Sequence, residues 1–202
     1  MEPWLVVGLG NPGPAYAGHR HNIGARCVGA LAAEHHEKLT KDRTRSLVGR
    51  VRLGTLPGGR PGPAALLAVP QTFMNLSGGP VASLARYYSV PVEHIAVIHD
   101  ELDLDFGTVR LKRGGGEGGH NGLRSVSSAL GTKEYLRVRL GVGRPPGRQD
   151  PADYVLSSFP ARDAAEVDLL VGDGAEAVTE LIHHGLQAAQ QRFHPRGPAS
   201  RS

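Results

Sequence analysis

The sequence predicts one α/β domain built around a largely parallel sheet. Short apolar runs bounded by glycine or proline alternate with stretches of helical periodicity, as strands joined by crossover helices do. The chain has 202 residues, of which 40% are apolar and 21% charged, which suits a single core and argues against wholesale disorder. No internal repeat is visible.

The elements follow in order. Leu5-Val6-Val7 is a buried strand delivering the tight turn Gly8-Leu9-Gly10-Asn11-Pro12-Gly13. Ile23, Cys27, Val28 and Leu31 recur at helical spacing and predict a helix from about Asn22 to His36. Ser46 to Leu53 alternates as a half-buried strand, Pro57 to Pro63 makes a hairpin tip, and Ala65 to Val69 is a buried strand ended by Pro70. Val81, Leu84, Ala85 and Tyr88 form the apolar face of a second helix, with Ser77 as its N-cap and Pro80 in its first turn. Ile95 to Ile98 is a buried strand running into His99-Asp100-Glu101, and Thr108 to Lys112 is another strand. After the Gly114–His120 loop, Asn121 caps a helix carrying Leu123, Val126 and Leu130, and Tyr135 to Val142 is the last strand. Val167, Leu170, Val171, Val178, Leu181 and Ile182 mark a C-terminal amphipathic helix. The domain is expected over residues 1–193, with a frayed tail over 194–202.

Composition narrows the function. The single cysteine, Cys27, allows no internal disulfide and reads as a small buried residue on the first helix. The opening apolar run is too short for a signal peptide, and no stretch approaches the roughly 18 apolar residues of a membrane span, so a cytoplasmic protein without membrane partners is expected. The net charge of +4 conceals segregation: residues 38–60 hold seven basic groups against Asp42 alone, and residues 106–149 hold nine against Glu117 and Glu134. Residues 150–180 reverse the sign, with eight acids against Arg162. Either basic cluster alone reads as a solvated surface; two of them with an acidic counterpart point to a polyanion, nucleic acid being the commonest.

Several motifs compete. Gly8 to Gly13 satisfies the GxGxxG dinucleotide fingerprint, but Pro12 removes a backbone N–H, and Glu34 lies within a helix where an acid at a strand end is needed. A dinucleotide-dependent oxidoreductase is therefore disfavoured. His19 and His21 form an HxH pair that His99 or Asp100 could complete as a metal site; the alternative makes one histidine a base and leaves the other facing solvent. His21 and Asp100 weigh more, because each sits at the mouth of its own strand and a carboxylate on one imidazole nitrogen raises the basicity of the other. Asn11, Asn75 and Asn121 sit at similar turns; singly they are turn residues, together they offer neutral donors and acceptors to a peptide, a water or an oxyanion. The Gly114–Gly119 loop lacks the GK[ST] ending of a nucleotide loop, and Glu117 would repel an anion.

Taken in order, these blocks resemble the bacterial-type peptidyl-tRNA hydrolases: Gly8 to Gly13 with Tyr16, Arg20-His21-Asn22, Thr72-Phe73-Met74-Asn75, His99 to Asp103, Gly114 to Asn121, and Tyr154-Val155-Leu156 with Phe159. The resemblance covers Val6 to about Phe159. It implies a single α/β domain with a twisted mixed sheet flanked by helices, and a monomeric hydrolase that cleaves the ester between a peptide and the 3′ end of tRNA without metal or cofactor. It further implies that His21 is the catalytic base, that Asp100 stabilises its basic form and that Asn11 recognises the peptide. Tyr16, Phe73, Asn75 and Asn121 match substrate-binding positions, and Lys112 and Arg139 match positions gripping a tRNA phosphate. His19 departs from the usual threonine, Glu117 from a histidine or small residue, and the Gly58–Pro63 tip is longer than common. A rival of another class is a non-catalytic RNA-binding relative, which would need the basic surface but not an intact His21–Asp100 pair.

Overall fold

The computed structural model describes residues 2–194. Its strands are β1 (Trp4–Gly8), β2 (Thr40–Asp42), β3 (Ser46–Arg52), β4 (Thr55–Leu56), β5 (Arg60–Pro61), β6 (Ala64–Pro70), β7 (Ile95–Glu101), β8 (Val109–Arg113) and β9 (Leu136–Gly141). The helices are α1 (Ile23–Glu34), α2 (Gly78–Tyr87), α3 (Asn121–Leu130), α4 (Pro151–Val155), α5 (Ala164–His184) and α6 (Leu186–Phe193). Seven strands form one sheet in the order β2-β3-β6-β1-β7-β9-β8, and β4 pairs with β5 as the expected hairpin.

The sheet is mixed. β6, β1, β7 and β9 run parallel at its centre, and β2, β3 and β8 are added antiparallel at its edges. Two layers of helix explain why the central strands are apolar throughout. Val6, Leu67, Ile98 and Val138 pack with Cys27, Leu31 and the α5 residues Leu170 and Val178 on one face. Leu5, Val7, Val97 and Tyr135 pack with Val81, Leu84, Leu123 and Val126 on the other.

Three elements went unread in the sequence. β2 is only three residues long, α4 five, and α6 is mostly polar, so none carries a strong periodic signal. One capping expectation is met in position only, and another is corrected. Ser77 is the N-cap residue of α2, but its side chain caps no amide: it is itself helical (φ −60°, ψ −27°) and its hydroxyl donates to the Met74 carbonyl, because a 3-10 turn over Met74–Leu76 runs straight into α2. The cap of α3 is His120, not Asn121: its Nδ1 accepts the Gly122 and Leu123 amides at 3.1 and 3.3 Å. The tail expectation falls, His194 apart, outside the described residues.

The sheet ends that matter are held together by close backbone approach. A Cβ on Gly24 would run into the Ile98 carbonyl, and one on Gly8 into the Gly24 carbonyl. Only glycine lets α1 sit this tightly over β1 and β7. The Leu9 amide donates to Ile98 at 3.1 Å and the Ala25 amide to Leu9 at 3.1 Å, which fixes the start of α1 beside the end of β7.

Candidate active site

His21 lies in the 3-10 turn Arg20–Asn22 that leads into α1, and Asp100 lies two residues past Ile98 on β7. The glycine contact between α1 and β7 therefore brings them together. His21 Nδ1 stands 3.0 and 2.9 Å from the two Asp100 oxygens, and the carboxylate is 3% exposed. On its other side His120 Nε2 reaches Asp100 Oδ1 at 2.8 Å.

Hydrogen bonding settles the tautomers. His120 Nδ1 accepts two backbone amides, so in the neutral ring the proton is on Nε2, which donates to Asp100. His21 Nδ1 faces the same carboxylate, so it too donates, leaving the Nε2 lone pair unclaimed by any described residue. Burial opposes charge on Asp100, but the charges and hydrogen bonds of His120 and His21 outweigh it and hold the carboxyl well below the ordinary range. His99, on the neighbouring position, is different. Burial pushes its imidazole down to about 3, so it stays neutral, and its Nδ1 donates to the Asp100 carbonyl at 2.7 Å. The ligating atoms of His21, Asp100 and His120 lie within 4.8 Å of one another, close enough to be weighed as metal ligands. Their direct contacts of 2.8–3.0 Å are shorter than the ~3.3 Å between donors around a tetrahedral ion, so the cluster fits a hydrogen-bonded triad better.

The pair opens onto a cleft of about 480 Å³ walled by Asn11, Phe73, Asn75, Asn121, the Gly118-Gly119 backbone and α4. Asn11 is clamped: its amide donates to Asn22 Oδ1 at 3.0 Å, and Asn22 Nδ2 donates to its carbonyl at 2.9 Å. Asn11 Oδ1 accepts the Met74 amide at 2.7 Å, so its Nδ2 is the end without a partner among the described residues. The same clamp occupies the glycine turn that a pyrophosphate would need, and α1 starts only at Ile23, well after Gly13. Arg20, 8% exposed, anchors the α4 wall. Its Nη1 donates to Ser157 Oγ at 2.6 Å and to the Ser158 carbonyl at 3.1 Å, and its guanidinium lies 4.0 Å over the Tyr154 ring.

This arrangement can be set beside known proteins. The family model described as peptidyl-tRNA hydrolase matches residues 5–201. A protein of that name from Kineococcus radiotolerans is 57% identical over 193 residues, covering 96% of this chain and 98% of its own. The chain belongs to the peptidyl-tRNA hydrolase family. One from Frankia alni is 55% identical over 192 residues, 95% of this chain and 94% of the relative. The crystal structure of peptidyl-tRNA hydrolase from Acinetobacter baumannii superposes with a TM-score of 0.82 at 34% identity, covering 95% of this chain and 94% of that one. The family is one of enzymes, and the mixed α/β fold is that of its solved members.

Of the residues singled out in the sequence, His21, Asp100, Asn11, Phe73, Asn75 and Asn121 line the one cleft. Tyr16 stands at its margin, edge-on to Phe73 at 6.2 Å and to His19 at 5.5 Å. His19 is not the solvent-facing partner expected of it; it is half-buried and its backbone bridges to Ser158. Lys112 and Arg139 lie outside the cleft, on β8 and β9, although Arg139 grips Glu101, a cleft residue, through Nε and Nη2 at 3.1 and 3.0 Å. Burial, with Arg139 and Arg137 nearby, lowers the Lys112 ammonium below its usual range. Cys27 is fully buried, its thiol pushed up by burial.

Arg137 corrects the charge count. It is 0% exposed and donates to the Gly115 and Gly116 carbonyls at 2.9 and 2.6 Å, so it braces the glycine loop from inside instead of facing a partner. His120, Asn22, Arg20 and Arg137 were all missed as site-building residues. His120 carried a local signal, a histidine directly before a helix start where a side-chain acceptor is needed, and Arg20 and Asn22 entered only as neighbours of His21 in a block that carries the resemblance.

Proposed function

We propose that this cleft hydrolyses the ester joining a peptide to the 3′ end of tRNA, with His21 as general base. The reading rests above all on one observation: His21 Nδ1 is committed to the buried Asp100 carboxylate, which leaves Nε2 facing a cleft walled by asparagines. Nε2 draws a proton from a water that attacks the ester carbonyl. The carboxylate stabilises the imidazolium that forms, then the proton passes to the departing ribose oxygen. His120, donating from Nε2, keeps Asp100 ionised and oriented. The Nδ2 of Asn11 donates to a peptide carbonyl next to the ester, while Asn75 and Asn121 hold the substrate, the water and the developing oxyanion. Phe73 and Tyr16 provide an apolar rim for the peptide or the terminal base. Lys112, its ammonium lowered by burial and by the neighbouring Arg139, suits a single tRNA phosphate together with that arginine. The chemistry uses no metal and no covalent intermediate, and one chain supplies every group in it.

The test is release of tRNA from an N-blocked aminoacyl-tRNA, run beside the unblocked form. Cleavage of the blocked form alone is expected. General-base catalysis contributes ~10²–10⁴-fold, so His21→Ala loses at least that in turnover. Retention of most activity by that variant refutes the assignment, and no cleavage of either ester leaves a non-catalytic RNA-binding role standing.

A further inference from the structure

The two basic clusters differ in a way the sequence hides. In the C-terminal one, four of the nine basic residues are spent internally. Arg137 is buried on carbonyls, Arg139 is paired with Glu101, Arg144 with Asp103, and Lys133 with Glu117. In the β2–β3 cluster Lys41, Arg43, Arg45, Arg50 and Arg52 are all exposed, and none forms an ion pair among the described residues. The nearby acids are occupied elsewhere. Asp42 is taken by the Thr44 amide and hydroxyl and by the Tyr88 hydroxyl, and Glu37 accepts the Arg50 amide.

The cluster is also ordered. Arg43 stacks 3.7 Å over the Tyr87 ring and Arg50 lies 5.3 Å over that of Tyr88, both rings belonging to the end of α2. A guanidinium held over an aromatic ring still has N–H groups to offer a phosphate, and Tyr87, 54% exposed, keeps ring surface open to a base. Alternation along the strands fixes the direction. Val51 points into the α1/α5 core, so Arg50 and Arg52 project from the opposite face. Val138 and Leu111 point into that same core, so Arg139 and Lys112 share the face of Arg50 and Arg52. β3 and β9 stand four strand spacings apart, roughly 19 Å at ~4.8 Å each.

From this geometry we infer a second RNA-binding surface on the β2–β3 edge, centred on Arg43, Arg45, Arg50, Arg52 and Tyr87. It takes the sugar–phosphate backbone of the folded RNA whose 3′ end occupies the cleft, well away from that end. The inference rests on the tRNA reading of the cleft. Exposed arginines that form no ion pair among the described residues match a dense line of phosphates; a solvated surface would need neither the ring contacts nor the diverted acids.

The experiment is binding of deacylated tRNA across ~0.05–0.2 M salt, for the wild type, for Arg43→Ala/Arg45→Ala/Arg50→Ala/Arg52→Ala and for the matching four-lysine variant. Each lost phosphate contact removes ~0.7–0.9 from the slope of log K against log salt, so the four-alanine variant is expected to lose about 3 and to bind at least ~10-fold more weakly at 0.1 M. The lysine variant keeps the charge and recovers most of the slope, which separates loss of contacts from loss of fold. An unchanged slope in the alanine variant overturns the proposal, including the case in which the face instead captures an acidic protein. Wild-type hydrolysis of an N-blocked aminoacyl ester on a short 3′ oligonucleotide, which cannot reach β2–β3, reports on the cleft alone. Failure there refutes the esterase reading while leaving the slope comparison to judge this surface.

Discussion

His120→Asn and His120→Ala separate the two roles of the residue that links the glycine loop to the buried carboxylate. Asparagine is among the best N-cap residues, so His120→Asn keeps an acceptor for the Gly122 and Leu123 amides. It loses the 2.8 Å bond from Nε2 to Asp100 Oδ1. A hydrogen bond to a buried charged acceptor is worth ~1.5–3 kcal/mol, and His21 remains as a second donor, so a loss of about 2 kcal/mol in folding stability is expected. His120→Ala also strands the helix amides and should cost a further ~1 kcal/mol. Urea denaturation at neutral pH measures both. The pH dependence adds a sign. Asp100 is depressed in the folded state, so its stabilisation is present above the ordinary carboxylate pKa and is lost as pH falls through and below it. Removing one of its two donors shrinks that depression, and the acid-dependent loss becomes smaller than in the wild type. Turnover should fall as well, by about 10-fold or more, with the Michaelis constant less affected. Equal stability of the two variants refutes the capping role; wild-type stability and acid response in His120→Asn refute the bond to Asp100.

Other outcomes follow from single observations. Because His99 is held neutral down to about 3, unfolded chains bind its proton first as pH drops below ~6.5. Its stabilisation is complete above that value and declines toward pH 3, by about 2 kcal/mol between pH 7.5 and 5. Urea titrations should find that share of acid sensitivity missing in His99→Gln. Gly24→Ala pushes a methyl into the Ile98 carbonyl, and the strain should cost ~1–3 kcal/mol and part His21 from Asp100. A displacement of ~1 Å can cost 10²-fold in rate, so activity should fall further than thermal stability implies, and an unaffected kcat would show that this contact does not position the base. Arg139→Ala removes a cation but also frees Glu101, so it should weaken tRNA binding more than Lys112→Ala. Each should lower the salt slope by about 1, and unchanged slopes would make the pair a solvated feature.

The central strands, the main helices and the two ends of the central pair were legible in the sequence, because burial on both faces writes a continuous apolar run and glycine turns mark where it stops. The sequence also determined which residue types stand at those turns: His21, Asp100, Asn11, Asn75 and Asn121 could be picked out before any contact was known. Tertiary structure alone decided what holds them. His120 reads as a loop residue until α3 needs a cap and Asp100 lies within 2.8 Å. Arg20 and Arg137 count as surface charge in any tally of composition, yet both are buried on backbone carbonyls, one bracing α4 and the other the glycine loop. The same tally cannot tell spent arginines from free ones. Whether a charge faces a partner depends on what lies across from it, and that is set by pairing between strands far apart in the chain. Short-range patterns record the periodicity of burial; the satisfaction of a buried polar group is a long-range fact.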